Sequence, residues 1–368
     1  MSAVFRLTAV GVAASLLLAA FVSPALAAAP VTGPPGESLV SVAAVSTSDA
    51  WAVGSLIEHW NGRQWSFVPG AKVSGCGVYL EGVAAGSATS AWAVGYCAKG
   101  QSRRPIIERW NGKHWTVQPS PAEPAGSVSE LNSVALSGSG PWAVGEYNSK
   151  GGVIPLIEHW NGHAWLVQAS PDPSPQGAEL AGVTAVSAAN AWAVGTVLSS
   201  SELATKSLIE HWDGHAWHIQ PSISPGGQNF LIGVSALTAK QVWAAGAYTF
   251  GNNLGTLAEY WDGTSWQEPS TPGPDLQSVL LNVAARSATD VWTVGERAFS
   301  THPRTLIQHW NGTVWSVVPS PSPSADMDVL NGVAVLSASY AWAVGYAGGK
   351  TLIERWNGAT WKVVPSPN

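Results

Sequence analysis

All 21 tryptophans of this 368-residue chain fall into seven triplets, and none lies outside them. The triplets are Trp51/Trp60/Trp65, Trp92/Trp110/Trp115, Trp142/Trp160/Trp165, Trp192/Trp212/Trp217, Trp243/Trp261/Trp266, Trp292/Trp310/Trp315 and Trp342/Trp356/Trp361. Second and third members are always 5 residues apart, and the step from a third member to the next first member is always 26 or 27. Only the step from first to second varies, between 9 and 20 residues. A period near 50 residues is the mark of a repeat architecture. Surface loops absorb length changes that packed strands do not, so the variable step is a surface loop.

Each copy reads as four short strands, A to D. In the third copy, strand A is Leu131-Asn132-Ser133-Val134-Ala135-Leu136 and strand B is Pro141-Trp142-Ala143-Val144-Gly145. Strand C is Leu156-Ile157-Glu158-His159-Trp160, Asn161-Gly162 makes the turn, and strand D is Trp165-Leu166-Val167-Gln168. The run 170–175, with three prolines, then blocks further pairing, because proline lacks the N–H that a strand ladder needs. Asn-Gly or Asp-Gly between strands is a strong hairpin signal. A five-residue Trp spacing across a two-residue or four-residue loop puts both rings on one face, diagonal or directly opposite; a three-residue loop would put them on opposite faces. The pair is therefore expected to pack between repeats. The third position of strand A is small in every copy (Ser41, Gly82, Ser133, Gly182, Gly233, Asn282, Gly332), which suits an innermost strand with little lateral room. The expected fold is all-β: a seven-bladed β-propeller with four antiparallel strands per blade. The blades run at about 39–79, 80–130, 131–179, 180–230, 231–279, 280–329 and 330–368. The first and last copies each begin with a strand A and end with a strand D, so the ring is expected to close without exchanging a strand between its ends.

Residues 1–27 have the order of a secretory signal peptide: Arg6, the apolar stretch Leu7 to Val22, then Ser23-Pro24 and the small-residue site Ala25-Leu26-Ala27. The apolar core is short for a membrane span. Cleavage would leave a linker at 28–38 and a secreted chain with no membrane association. The full chain has a formal charge of −6, and the leader removes Arg6 and no acid. A mildly acidic chain argues against nucleic acid as partner, because such binding needs basic patches. The two cysteines, Cys76 and Cys97, would meet an oxidising environment on export. Antiparallel pairing of 80–85 with 91–96 sets Leu80 near Tyr96 and leaves both cysteines at one end of that hairpin, so a disulfide is expected.

Strand C carries a column of acids (Glu58, Glu108, Glu158, Glu210, Glu259, Gln308, Glu354) followed by His59, Arg109, His159, His211, Tyr260, His309 and Arg355. Acid beside histidine suggests metal or acid–base chemistry. A zinc site, however, needs three or four ligands converging on one ion, and one copy per blade spreads these residues around a ring. Hydrogen bonds between neighbouring blades account for the columns better. No catalytic, metal or cofactor site is read from the chain.

The order of strand A, an apolar-aromatic strand ending in Gly, then an aromatic, a short turn and a Trp resembles the kelch repeat of galactose-oxidase-type propellers, over about residues 39–368. One departure is clear: kelch repeats carry two glycines after strand B, whereas here one stands there, as in Gly54-Ser55, Gly95-Tyr96 and Gly345-Tyr346. The second resemblance is to neuraminidase-type and photosystem-assembly-factor-type propellers, although their Ser-x-Asp-x-Gly-x-x-Trp box is missing. Neither chemistry carries over. The galactose-oxidase resemblance implies a copper site with a Tyr–Cys cross-link, whereas both cysteines here sit in one blade. A sialidase needs an arginine cluster, and the arginines here are scattered.

Fold alone does not license a function. The expected function is a secreted, non-enzymatic binding or interaction propeller that recognises a glycan or protein through the face carrying the B–C and D–A loops. The residues just after strand B break the repeat there: Tyr96, Glu146, Tyr147, Tyr248, Glu296, Arg297 and Tyr346. Aromatics with a few charges on a concave face suit such a ligand. The alternative is an extracellular carbohydrate-active lyase or hydrolase at the channel mouth, where Glu81, Asn132 and Asn331 would line the channel.

Overall fold

A computed structural model describes residues 37–121, 128–149, 151–171, 173–199, 205–251, 253–273, 277–299 and 302–367. The proposed signal peptide lies outside these residues, as does the linker up to residue 36. The chain forms seven four-stranded antiparallel sheets, each made of four consecutive strands in the order A-B-C-D. The strands of the successive blades span 39–67, 77–118, 129–168, 178–219, 229–267, 278–317 and 328–363. The described residues contain no helix. This is a seven-bladed β-propeller with strand A on the axis, where the strand A residues of blades 1 to 6 line a cavity of about 140 Å³.

The tryptophan triplets of the sequence are not the triads of the structure. The first Trp of each blade packs against the second and third of the next. Trp51 meets Trp110 and Trp115, with ring centroids at 4.8 and 5.1 Å. Trp142 meets Trp212 and Trp217 at 5.1 and 5.2 Å. The third ring meets the first edge-on, the arrangement favoured by the aromatic quadrupole. The second and third Trp of a blade are directly opposite, as Trp160↔Trp165, across a four-residue loop. Its glycine takes a positive φ (Gly162, 97°), and the Asn161 Oδ1 accepts from the N–H groups of His163 and Ala164 at 2.9 Å.

The glycine that ends strand B has a separate cause. Strand A bulges at each blade, as between Leu131 and Ser133, and the bulge presses its backbone onto strand B. A Cβ on Gly145 would lie 2.0 Å from the Glu130 carbonyl oxygen, and one on Gly295 would lie 2.0 Å from that of Val279. The same bulge moves strand pairing by one residue: Leu80 faces Gly95, not Tyr96, and Tyr79 faces Tyr96.

The strand C acids join the blades. Ser120 donates to Glu158 at 2.8 Å, Ser170 to Glu210 at 2.8 Å, Ser222 to Glu259 at 3.2 Å and Ser320 to Glu354 at 3.0 Å. In each case the donor follows strand D of the preceding blade. The Ala71 N–H serves Glu108 at 2.9 Å, and Gln308 donates instead to the Pro272 carbonyl at 2.8 Å. The histidine column covers the first Trp: His59 lies tilted over Trp51 at 4.2 Å and hydrogen-bonds Asp49 at 2.8 Å.

The ring closes with the same parts. Blades 1 and 7 are each complete. Trp342 packs on Trp60 and Trp65 within an apolar cluster drawn from both blades. Ser366 donates to Glu58 at 2.7 Å, Asn331 Nδ2 to the Leu39 carbonyl at 2.8 Å, and the Tyr340 hydroxyl to the Thr47 carbonyl at 2.9 Å.

Candidate functional site

Every strand A enters from the face that carries the B–C and D–A connections. Aligned on the leucine it carries in every blade (Leu39, Leu80, Leu131, Leu180, Leu231, Leu280, Leu330), strand A repeats at that position and at the valine three residues on. The residue before the leucine has no common identity: Ser38, Tyr79, Glu130, Glu179, Phe230, Val279, Val329. Nor has the bulged residue after it: Val40, Glu81, Asn132, Ala181, Ile232, Leu281, Asn331. The third variable position is the first residue after the strand B glycine, and the ladder sets it opposite the first: Tyr79↔Tyr96, Glu130↔Glu146, Glu179↔Thr196, Phe230↔Ala247, Val279↔Glu296 and Val329↔Tyr346. These three positions per blade ring the channel mouth and the upper cavity.

The mouth is divided. On blades 2 to 4 it is acidic. Arg103 reaches Glu130 at 2.5 Å and lies 4.5 Å from the centre of the Tyr96 ring, which stacks on Tyr79 at 5.3 Å. Glu146 accepts from Asn132 Nδ2 at 2.9 Å, and the same amide donates to the Leu180 carbonyl of the next blade. Burial pushes Glu81 and Glu179 up from 4.5 to about 8, with the nearby Glu130 charge adding to both. Glu146 is held well above the carboxylate range by burial and then by Glu130 and Glu179. Tyr96 is raised chiefly by burial, with Glu81 contributing. On blades 5 to 7 the mouth is apolar: Phe230, Val279, Leu281 and Val329 pack together, with Tyr346 against them. Glu296 sits in that half at 4% exposure, and burial raises it to about 8.

Of the residues singled out after strand B, the structure therefore brings Tyr96 and Glu146 into one acidic cluster and puts Glu296 and Tyr346 across the mouth. Tyr147, Tyr248 and Arg297 stand one residue further along, where the side chain alternates to the other face. Tyr147 packs into the seam of blades 2 and 3, and Tyr248 into that of blades 4 and 5 beside Phe250. Arg297 is half-buried opposite Ser278 and Arg304. Sequence reasoning missed Glu130, Glu179 and Arg103. The first two carry a readable signal, since they break the repeat immediately before its recurring leucine. Cys76 and Cys97 form a disulfide on this rim, with Cα atoms 5.6 Å apart. Among the described residues no group of three or more His, Cys, Asp or Glu is arranged to hold a metal.

No protein-family model matches the chain, and no curated protein matches it. Many solved structures do. YCF48 bound to the D1 peptide superposes with a TM-score of 0.54 at 16% identity, covering 91% of this chain and 98% of that one. The GH74 xyloglucanase from Xanthomonas campestris gives 0.59 at 12% identity, over 89% of this chain and 54% of that one. The extracellular domain of BT4673 from B. thetaiotaomicron gives 0.53 at 9%, over 90% and 39%. At these identities the likeness is one of fold. It shows the propeller fold and does not choose between the propeller families that the repeat resembles.

Proposed function

We propose that the chain is an exported, non-enzymatic binding propeller whose ligand sits over the channel mouth. The carrying observation is the contrast within each repeat. Leucine, valine, the strand B glycine and the tryptophans recur in every blade, while the three mouth positions differ from blade to blade. A purely structural ring has no use for that contrast, whereas a ligand that is not seven-fold symmetric requires it. Export rests on the leader at 1–27. Propellers of this fold include one solved with a peptide, an enzyme and an extracellular domain, so the choice rests on the site.

An enzyme reading would lean on Glu130 and Glu146, which stand opposite each other on strands A and B, the Glu130 charge raising the proton affinity of Glu146. Glu130 is already paired with Arg103 and neither carboxyl lines the axial cavity, whereas general acid–base work requires contact with the reacting group within hydrogen-bond distance. The test is to screen the secreted protein against a glycan array and a displayed random-peptide library, with mass spectrometry of every ligand after incubation. Binding with the ligand intact is the expected result. Cleavage of a bound ligand would transfer the chain to the enzyme class.

A further inference from the structure

We propose that the blade 2–4 side of the channel mouth is a receptor for an organic cation, the ammonium or guanidinium of a basic group, whose apolar neighbour rests on the blade 5–7 side. This rests on the reading of the mouth as a ligand site and adds the chemistry of the ligand.

The first observation is an imbalance of charge. Four carboxyl groups, Glu81, Glu130, Glu146 and Glu179, face one another across blades 2 to 4, and Arg103 reaches only Glu130. Among the described residues the other three form no ion pair; Arg103 offsets only part of the shift at Glu81, and burial with the Glu130 charge raises all three. A carboxylic acid kept neutral only by burial is a poor structural element, since an apolar residue would serve better. It is a good receptor for a positive charge, which would take the place of the protons.

The second observation is independent of the acids. Asn132 is 3% exposed, it lines the axial cavity beside Glu81, and its Oδ1 has no hydrogen-bond partner among the described residues. Its amide nitrogen is committed to Glu146 and the Leu180 carbonyl, both acceptors, which fixes the group's orientation. The Oε2 of Glu81 is likewise buried and unpartnered. Buried acceptors without donors are costly. Two such acceptors on one cavity wall ask for an N–H donor. The cavity of about 140 Å³ is close to the ~150 Å³ that accommodates a benzene-sized group, so one elongated side chain fits.

The third observation selects an organic cation over a metal ion. The carboxyl groups are not gathered in a metal-holding arrangement. Across the axis, Leu281 and Ile232 line the same cavity, backed by the apolar cluster of Phe230, Val279 and Val329. Guanidinium in particular is weakly hydrated and tolerates such a setting. A basic residue with an apolar neighbour in a peptide meets both halves at once. A free polyamine meets only the acidic one.

The test uses peptides selected from a displayed random library on the full secreted protein. The selected peptides should be enriched in Lys or Arg next to an apolar residue. Acetylating the lysine, or making the double change Glu81→Gln and Glu179→Gln, should weaken binding at least about tenfold, while the variant keeps its thermal midpoint. Binding at neutral pH should release protons, read as a calorimetric enthalpy that changes with the buffer's ionisation enthalpy. Competition by spermidine at equal occupancy would assign the same cation chemistry to a free amine. Selected peptides that lack basic residues, or that bind the double variant equally, would overturn the cation site while leaving a binding propeller. A midpoint shift with calcium chloride that the double variant abolishes, with no basic enrichment, would overturn it in favour of a metal. A neutral glycan bound at the mouth with unchanged affinity in the variant would also overturn it.

Discussion

The seams between blades and the channel mouth are made from the same seven repeats, and they obey opposite rules. At a seam, one solution is used seven times: three tryptophans from two blades, and a polar bond from the tail of one blade to strand C of the next. At the mouth, no two blades agree. The difference follows from what each region must satisfy. A seam is a local contact between two neighbours, so the same residues work at every one and stability adds up blade by blade. The mouth is shared by all seven blades and faces whatever enters it, so its residues answer to something that need not repeat. The acid columns make the contrast concrete. Glu158 and Glu210 each find a serine donor from the neighbouring blade. Half-buried in the mouth, Glu81 and Glu179 find other acids.

Removing a seam tryptophan should have the largest effect. Trp142 is 1% exposed and touches Trp212, Trp217 and His159. Trp142→Ala should cost about 3–5 kcal/mol in denaturant unfolding. A loss below ~1 kcal/mol would mean that the triads are not what holds the blades together.

The rim staple comes next. Reducing Cys76–Cys97, or making Cys97→Ser, should cost about 2–4 kcal/mol. Intact mass before and after alkylation should show no free thiol in the unreduced protein. Two free thiols there would remove the staple from the account of the mouth.

Ser366→Ala should cost about 1–3 kcal/mol, because it strips the donor from Glu58, which is fully buried. The loss should appear in hydrogen exchange first at 39–67 and 328–363, the blades that meet at the closing seam. Uniform loss of protection around the ring would show that closure is no weaker than any other seam.

The smallest effect at neutral pH, and the sharpest contrast, should come from neutralising the carboxyls. Burial raises Glu58 to about 6, Glu210 and Glu259 to about 7, and Glu354, Glu81 and Glu179 to about 8. A raised folded-state pKa means that the folded chain keeps protons the unfolded chain has released. The stability contributed is full below about 4.5 and is lost as pH rises through 6 to 8. The melting temperature should therefore be higher at pH 5 than at pH 8. Glu354→Gln should flatten that slope without loss at pH 7, since Gln308 already fills the same position as a neutral amide. Glu179→Gln should do the same at the mouth. A melting temperature that rises from pH 5 to pH 8 would contradict the burial of these groups.

Much of the frame is legible in the order of residues alone. The Trp spacing requires a repeat, the five-residue step puts two rings on one face, and the small third residue of strand A marks the axis. The partner of each ring is not legible there. Trp51 precedes Trp60 by 9 residues, yet it packs on Trp110 and Trp115 of the next blade, while Trp60 packs on Trp342. The one-residue shift of Leu80 onto Gly95 is hidden for a different reason: a bulge changes the register without changing the sequence pattern on either side of it.

The site is legible in its location and not in its composition. The residues after the strand B glycine stand out because they break a repeat, but alternation divides them, and Tyr147 and Tyr248 turn into seams. Glu130 meets Arg103 of the blade before it and Glu179 of the blade after it only when the blades stand side by side. By itself, the sequence determined the repeat, the four-strand unit, the seven blades and the face that varies, because periodicity and side-chain alternation are local rules written along the chain. Only the tertiary structure decided which acids share a cavity and which half of the mouth is apolar. Ring closure brings residues from distant blades to one axis, and the electrostatics of buried groups depends on distance in space, which no spacing along the chain encodes.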